Sequence, residues 1–173
     1  AITEAFDKQE DARVLAYTNT QVEGYNKFIR NHLHGVTDFR EGDLVVAANC
    51  CLETSKVEQT YKILKITKHQ VTLDDNCVYP LPEDKAEWFK AIKRAEREAK
   101  KDGHWKAYFD LKDGFIDIRD GFSCTVNKSQ GSTYDKVFID AQNLHTCRNL
   151  DTLLRLLYVA HSRARTEVII YKG

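Results

Sequence analysis

The sequence predicts an α/β protein: a parallel-sheet domain assembled from both ends of the chain, with a small β-rich unit inserted between them. Three observations point there. Near the start, a continuous apolar run is followed by a polar loop and an amphipathic stretch, the strand–loop–helix order of an open α/β sheet. From about residue 43 the pattern changes to short alternating runs separated by polar turns. After residue 122 buried runs return, interleaved with a second amphipathic stretch.

In chain order, the acidic opening Glu4, Asp7, Glu10 and Asp11 reads as a domain-junction leader. Residues 12–17, ARVLAY, read as a buried strand. Thr18 and Asn19 form a short polar loop, and Thr20-Gln21-Val22-Glu23 fits a capping box in which the Thr hydroxyl accepts from the Glu23 N–H. Val22, Tyr25, Ile29 and Leu33 follow at helical spacing, with Gly35 as the stop. Residues 43–48, 58–67 and 69–73 read as strands, with Asp74-Asp75-Asn76 as a turn, and such closely spaced short strands suggest a small barrel. Pro82 opens a charged helix ending near Gly103, with Trp88, Phe89, Ile92, Ala95 and Ala99 as its apolar stripe. Its other face carries Lys90, Lys93, Arg94, Arg97, Lys100 and Lys101. That face suits either solvent or a nucleic acid, and Glu87, Glu96 and Glu98 dilute its charge. Residues 122–126, 136–140 and 167–171 read as strands, and Asp151 as the cap of a helix bearing Leu154, Leu157, Tyr158 and His161.

Composition narrows the function classes. Across 173 residues the 26 Lys and Arg balance the 26 Asp and Glu, so a nucleic-acid contact would be a local patch or part of a larger site. No apolar run reaches membrane-spanning length and no signal peptide opens the chain, so no membrane partner is expected. The five cysteines, Cys50, Cys51, Cys77, Cys124 and Cys147, form no CxxC pair and read as reduced thiols of a cytoplasmic protein. No metal site is expected; His32 and His34 lack cysteine partners at ligand spacing.

Two segments carry chemistry. FSCTVNKSQGSTYD at 122–135 resembles motif V of superfamily 1 helicases, and LLYVAHSRAR at 156–165 resembles their motif VI. Ala16-Tyr17-Thr18-Asn19 with Val22 and Asn26 is similar to the segment that opens the DNA-facing loop of the second motor domain. Phe39, Gly42, Asp43 and Val45 are similar to the entry into the inserted domain of Dda-type enzymes. The chain thus resembles the C-terminal motor region, domains 2A and 2B, of a superfamily 1B DNA helicase of the Dda/RecD-like type, of phage or bacterial origin. The resemblance is looser between residues 50 and 115. It implies a RecA-like domain over 1–36 and 114–173, with an SH3-like barrel and helical extension over 37–113.

The same resemblance assigns roles. Thr18, Asn19, Thr125, Asn127, Lys128 and Ser129 become contacts to the backbone of single-stranded DNA. Hydroxyls, amides and a lysine grip phosphates without reading bases. Family members usually carry His where Asn127 stands, so any titrating role at that position is lost. Arg163 becomes the arginine finger, catalytic through its charge and planar fork. Gln130, Gly131 and Arg165 join it toward the nucleotide, with Gly131 permitting close backbone approach; Arg165 fits an ordinary ion pair as well. No G-x-x-x-x-G-K-[ST] loop and no acidic Mg²⁺ motif occurs. ATP and Mg²⁺ are therefore expected to be held mainly by an N-terminal motor domain of the same polypeptide. Replication or recombination proteins are further candidate partners. Two alternatives stay open: a stand-alone, non-enzymatic nucleic-acid or protein-binding module derived from a helicase, and half of a viral-type RNA helicase.

Overall fold

The computed structural model describes residues 2–8, 10–36, 38–57 and 59–171. In chain order the elements are α1 (Ile2–Asp7), β1 (Ala12–Ala16), α2 (Asn19–His34), β2 (Leu44–Ala47), β3 (Thr60–Ile66), β4 (Gln70–Leu73), β5 (Val78–Pro80) and α3 (Lys85–Asp102). There follow α4 (Lys106–Asp113), β6 (Ile118–Asp120), β7 (Ser123–Thr125), β8 (Tyr134–Asp140), α5 (Ala141–Leu144), α6 (Leu150–His161) and β9 (Ala164–Tyr171). The chain divides into two units, Ala1–Asp38 with Asp120–Gly173, and Phe39–Arg119.

The first unit is a four-stranded parallel sheet in the order β7-β1-β8-β9. Side chains alternate across it with the period of two that a strand imposes. Val14 and Phe138 face a core completed by Ala5, Ile29, Phe6 and Leu33 of α1 and α2. Leu15, Val137 and Ile139 face the opposite core with Leu144, Leu156 and Ala160 of α5 and α6. The register pairs Val14 with Phe138 and Leu15 with Ile139, so each layer continues across neighbouring strands. The unit therefore has helices on both faces of its sheet.

The second unit is built on three successive antiparallel pairings, β2–β3, β3–β4 and β4–β5, in a five-stranded sheet of order β5-β4-β3-β2-β6. The turn between β4 and β5 places Asn76 at φ 62, a left-handed position that Asn tolerates. The Ile116 N–H donates to the Pro80 carbonyl at 3.0 Å, joining the end of the edge strand β5 to the segment just before the other edge strand, β6. Val45, Tyr61, Ile63, Val71, Leu73, Tyr79, Ile116 and Ile118 fill the interior. Beyond β5, Asp84 caps α3 by accepting from the Ala86 and Glu87 N–H groups, and Gly103 at φ 78 ends it.

Several sequence expectations are corrected. Glu4 and Asp7 of the acidic opening lie in the helix α1, docked through buried Ala5 and an edge-to-face contact of Phe6 on Phe122, while Glu10 and Asp11 follow it. α2 starts two residues before the expected box: Thr18 is the cap, accepting from Gln21 N–H, and Thr20 lies inside the helix. Asn149, not Asp151, caps α6, and Asp84 rather than Pro82 begins α3. The insertion ends at Arg119, not near residue 113, because Ile116 and Ile118 are buried in its core and β6 completes its sheet. Thr37, its expected first residue, and Glu58, the expected start of its second strand, lie outside the described residues.

Candidate functional site

The carboxyl ends of parallel strands in open α/β sheets are where ligands bind. β1 and β7 are neighbours, with Ala16 opposite Thr125, and the Val126 N–H donates to the Ala16 carbonyl at 3.0 Å. That pairing sets two loops side by side: Thr18-Asn19 after β1, and Asn127-Lys128 after β7. Five of the six expected DNA-contact residues therefore share one sheet edge. Asn19, Asn127 and Lys128 are exposed, whereas Thr125 is only 9% exposed. The Thr125 hydroxyl accepts from the Lys128 N–H at 3.4 Å and keeps its own proton to donate. The first turn of α2 opens on the same edge, with N–H groups that the helix does not use and a positive dipole end.

Ser129 is the exception. It is fully buried, and its hydroxyl donates to the Val126 carbonyl at 2.7 Å, so it staples the turn. Gly131 also differs in reason from expectation. It sits at φ 86 with no atom within 4 Å of where a Cβ would lie, so left-handed geometry rather than close approach calls for glycine.

The structure adds supporting residues that the sequence did not single out. The Asn143 side-chain oxygen accepts the Tyr17 and Thr18 N–H groups at 2.7 and 3.0 Å. Asn143 is itself held where its N–H donates to buried Asp140 at 2.8 Å. The other Asp140 oxygen accepts from Gln21 Nε2 at 3.0 Å and from the Tyr25 hydroxyl at 2.9 Å. Burial, followed by that hydrogen bond to a carboxylate, pushes Tyr25 up to about 12. On the far side of β1, Asn26 accepts from the Ser123 N–H and donates to the Asp120 carbonyl, locking α2 to the start of β7. An aspartate closing an apolar strand before a polar Ala-Gln-Asn stretch was the one visible signal for this network.

The arginines lie at the opposite edge, where β8 and β9 begin. Tyr134 pairs with Ala164, and its N–H donates to the Arg163 carbonyl at 2.8 Å. The half-buried Arg163 donates through Nη1 to the Ser132 carbonyl at 3.1 Å and through Nη2 to the Ser162 hydroxyl at 2.9 Å. Its Nε reaches the Val159 carbonyl at 3.2 Å, as a cation at a helix C-terminus does. Arg165 is committed to carboxylates: Nε meets Asp135 at 2.7 Å, and Nη2 pairs with Asp11. Those partners raise its pKa further. Gln130 is exposed in the segment that runs from one edge to the other. Among the described residues, no group of three or more His, Cys, Asp or Glu is placed to hold a metal ion. No helix among them is long and apolar enough to cross a membrane.

Comparison with known proteins agrees with this architecture. Residues 120–171 match the UvrD-like helicase C-terminal domain family. No curated protein matches the chain. Among solved structures it is similar to the Pif1 helicase from Bacteroides in complex with ADP-AlF3 and ssDNA. The TM-score is 0.53 and the identity 14%, over 93% of this chain and 40% of that one. It is also similar to the Pif1 helicase from Candida albicans, with a TM-score of 0.49 and 13% identity over 94% and 45%. The chain thus spans less than half the length of these helicases. Residues 120–171 thus match the UvrD-like helicase C-terminal domain family, and the chain shares the mixed α/β fold seen in the Bacteroides Pif1 helicase structure.

Proposed function

We propose that this chain is the C-terminal motor half of an ATP-dependent helicase that moves 5′-to-3′ along single-stranded DNA in the cytoplasm of a bacterial or phage-infected cell. One observation carries the reading. The segment 126–133 joins the Lys128 loop at one sheet edge to Ser132, whose carbonyl holds the Arg163 guanidinium at the other. Thr18, Asn19, Thr125, Asn127 and Lys128 meet the DNA backbone, and Arg163 meets the phosphates of a nucleotide beside Gln130 and Gly131. A shift at either end of the segment is then felt at the other. Arg163 fits a phosphate group because its fork is half-exposed and held by exchangeable hydrogen bonds, two of them to one serine hydroxyl. Arg165, held between two carboxylates, orders the edge rather than the nucleotide. Bound Mg²⁺-ATP, held mainly by a second motor domain, supplies the phosphoryl transfer that drives movement. The Bacteroides helicase structure, which contains ADP-AlF3 and ssDNA, supports both ligand classes. The 5′-to-3′ direction and the bacterial or phage setting are supported by the Dda/RecD-like resemblance, and the five free cysteines suit a reducing compartment.

The DNA assignment is tested by affinity of the complete protein for single-stranded DNA as a function of salt. Lys128→Ala should weaken binding about equally for all sequences and flatten the log–log salt slope by about 0.7, one released counterion. Thr125→Val should weaken binding without changing the slope. A loss restricted to one base composition, or an unchanged slope in Lys128→Ala, would refute backbone gripping at this edge.

A further inference from the structure

We infer that the α3–α4 hairpin of the second unit is a separate single-strand nucleic-acid contact, in which unpaired bases stack on the ring faces of Trp105 and Phe109. α4 buries none of its residues, yet its Tyr108 and Phe109 form an aromatic group with Trp105 at its N-cap. Trp105, Tyr108, Phe109 and Lys112 stand at i, i+3, i+4 and i+7, which is one helix face. The Trp105 and Tyr108 rings meet at 5.6 Å and 87°, and those of Tyr108 and Phe109 at 5.1 Å and 72°. Trp105 remains 40% exposed and Phe109 48%. A core cluster would hide such rings, and isolated exposed apolar residues would not pack edge to face. The group is held rigid from beneath. Trp88, 7% exposed, donates its ring N–H to the Leu111 carbonyl at 2.8 Å, and Asn49 donates to the Lys112 and Phe115 carbonyls, each at 2.8 Å.

Exposed rings bordered by lysines suit a ligand that offers both π faces and phosphates. Lys112 Nζ lies 5.8 Å from the Tyr108 ring centre and 6.0 Å from that of Phe109, so a cation borders the aromatic surface. Lys101 and Lys106 are exposed on either side of Trp105 in sequence, and neither has a described carboxylate partner. An apolar protein partner would meet these ammonium groups at a desolvation cost, whereas a polyanion with π-faced bases satisfies rings and lysines together. Asp102, Asp110 and Asp113 keep the local charge low. The contact therefore rests on stacking, and its salt dependence is shallower than that of the parallel-sheet edge. The hairpin and that edge use different residues in different units, so each assignment stands or falls alone.

The 173-residue chain has two tryptophans, and only Trp105 is substantially exposed, so it reports stacking directly. The probe is oligo-dT of about 12 nucleotides, titrated while tryptophan emission is followed. Binding should quench emission. Trp105→Phe should abolish the quench yet bind, by labelled-oligo anisotropy, within about threefold of the parent, because a ring remains. Trp105→Ala and Phe109→Ala should each weaken binding about tenfold, or ~1.4 kcal/mol. Far-ultraviolet circular dichroism matched to the parent excludes unfolding as the cause. The quench should persist in Lys128→Ala, which separates this contact from the sheet-edge site. The proposal is overturned by unchanged affinity in both alanine variants or by equal competition from a duplex of the same length. Concentration-dependent self-association abolished by Phe109→Ala would also overturn it, since the patch would then bind a second copy.

Discussion

Arg30 and Asp120 show how much of this structure rests on groups with no local signature. The Arg30 side chain is 2% exposed and Asp120 9%, and Arg30 Nε donates to the Asp120 carboxylate at 2.7 Å across 90 residues of sequence. Asn26, one turn earlier on α2, binds the Asp120 carbonyl and the start of β7. Together they hold β7 against α2, and hence Thr125 beside Thr18. Removing one member of a buried ion pair strands the other charge, which costs about 3–5 kcal/mol. Arg30→Met should lower the urea unfolding free energy by that order, and Arg30→Met with Asp120→Leu should recover much of it. A loss below about 1 kcal/mol in the single variant would show that the pair is not structural. Nothing in the sequence announced this pair: helical spacing marks Ile29 and Leu33 as inward, but Arg30 has its partner only after the insertion has been spanned. Asn26 entered only through the resemblance, and the structure supplies its reason.

At the scale of elements, long periodic segments were legible and short or tertiary-defined ones were not. β1, β3 and β8 carry apolar runs or alternation, and Gly35 at φ 65 ends α2 where expected. β5 and β6, with three residues each, are too short for a period to show. The start of α2 was misplaced because Thr18 and Thr20 are both competent caps. Asn143, which binds the Tyr17 and Thr18 N–H groups, decides between them. The same network makes a pH prediction. The hydroxyl of Tyr25 titrates near 10 when unfolded and near 12 when folded. The folded state therefore holds the proton more tightly. The resulting stability is complete below pH 10 and is lost as pH rises toward 12. Tyr25→Phe should lose less stability than the parent between those pH values, measured by urea midpoints. Equal losses would show that folding does not raise the titration of Tyr25 through its burial and its bond to Asp140.

For the whole molecule, the division into an α/β unit made from both chain ends and an inserted β-rich unit follows from where the hydrophobic period changes. The second crossing lies between Arg119 and Asp120 because the burial of Ile116 and Ile118 outweighs the change of sequence pattern near residue 113. The candidate site was legible only as residue types; its division between two sheet edges required the strand order β7-β1-β8-β9. Seen from that order, Thr125 and Lys128 lie where β7 ends, and Arg163 lies where β9 begins. The central claim is that Arg163 acts on the nucleotide rather than merely ending α6. DNA-stimulated ATP turnover of the complete protein carrying Arg163→Ala tests it most directly. An arginine finger is worth on the order of 10³–10⁵ in rate, or ~4–7 kcal/mol, whereas a helix-end contact is worth under about 1 kcal/mol. Turnover should therefore collapse by at least about a thousandfold, with nucleotide affinity nearly intact and only partial recovery in Arg163→Lys. Retention of more than about a tenth of the parent rate, a barrier change below ~1.4 kcal/mol, would contradict the claim.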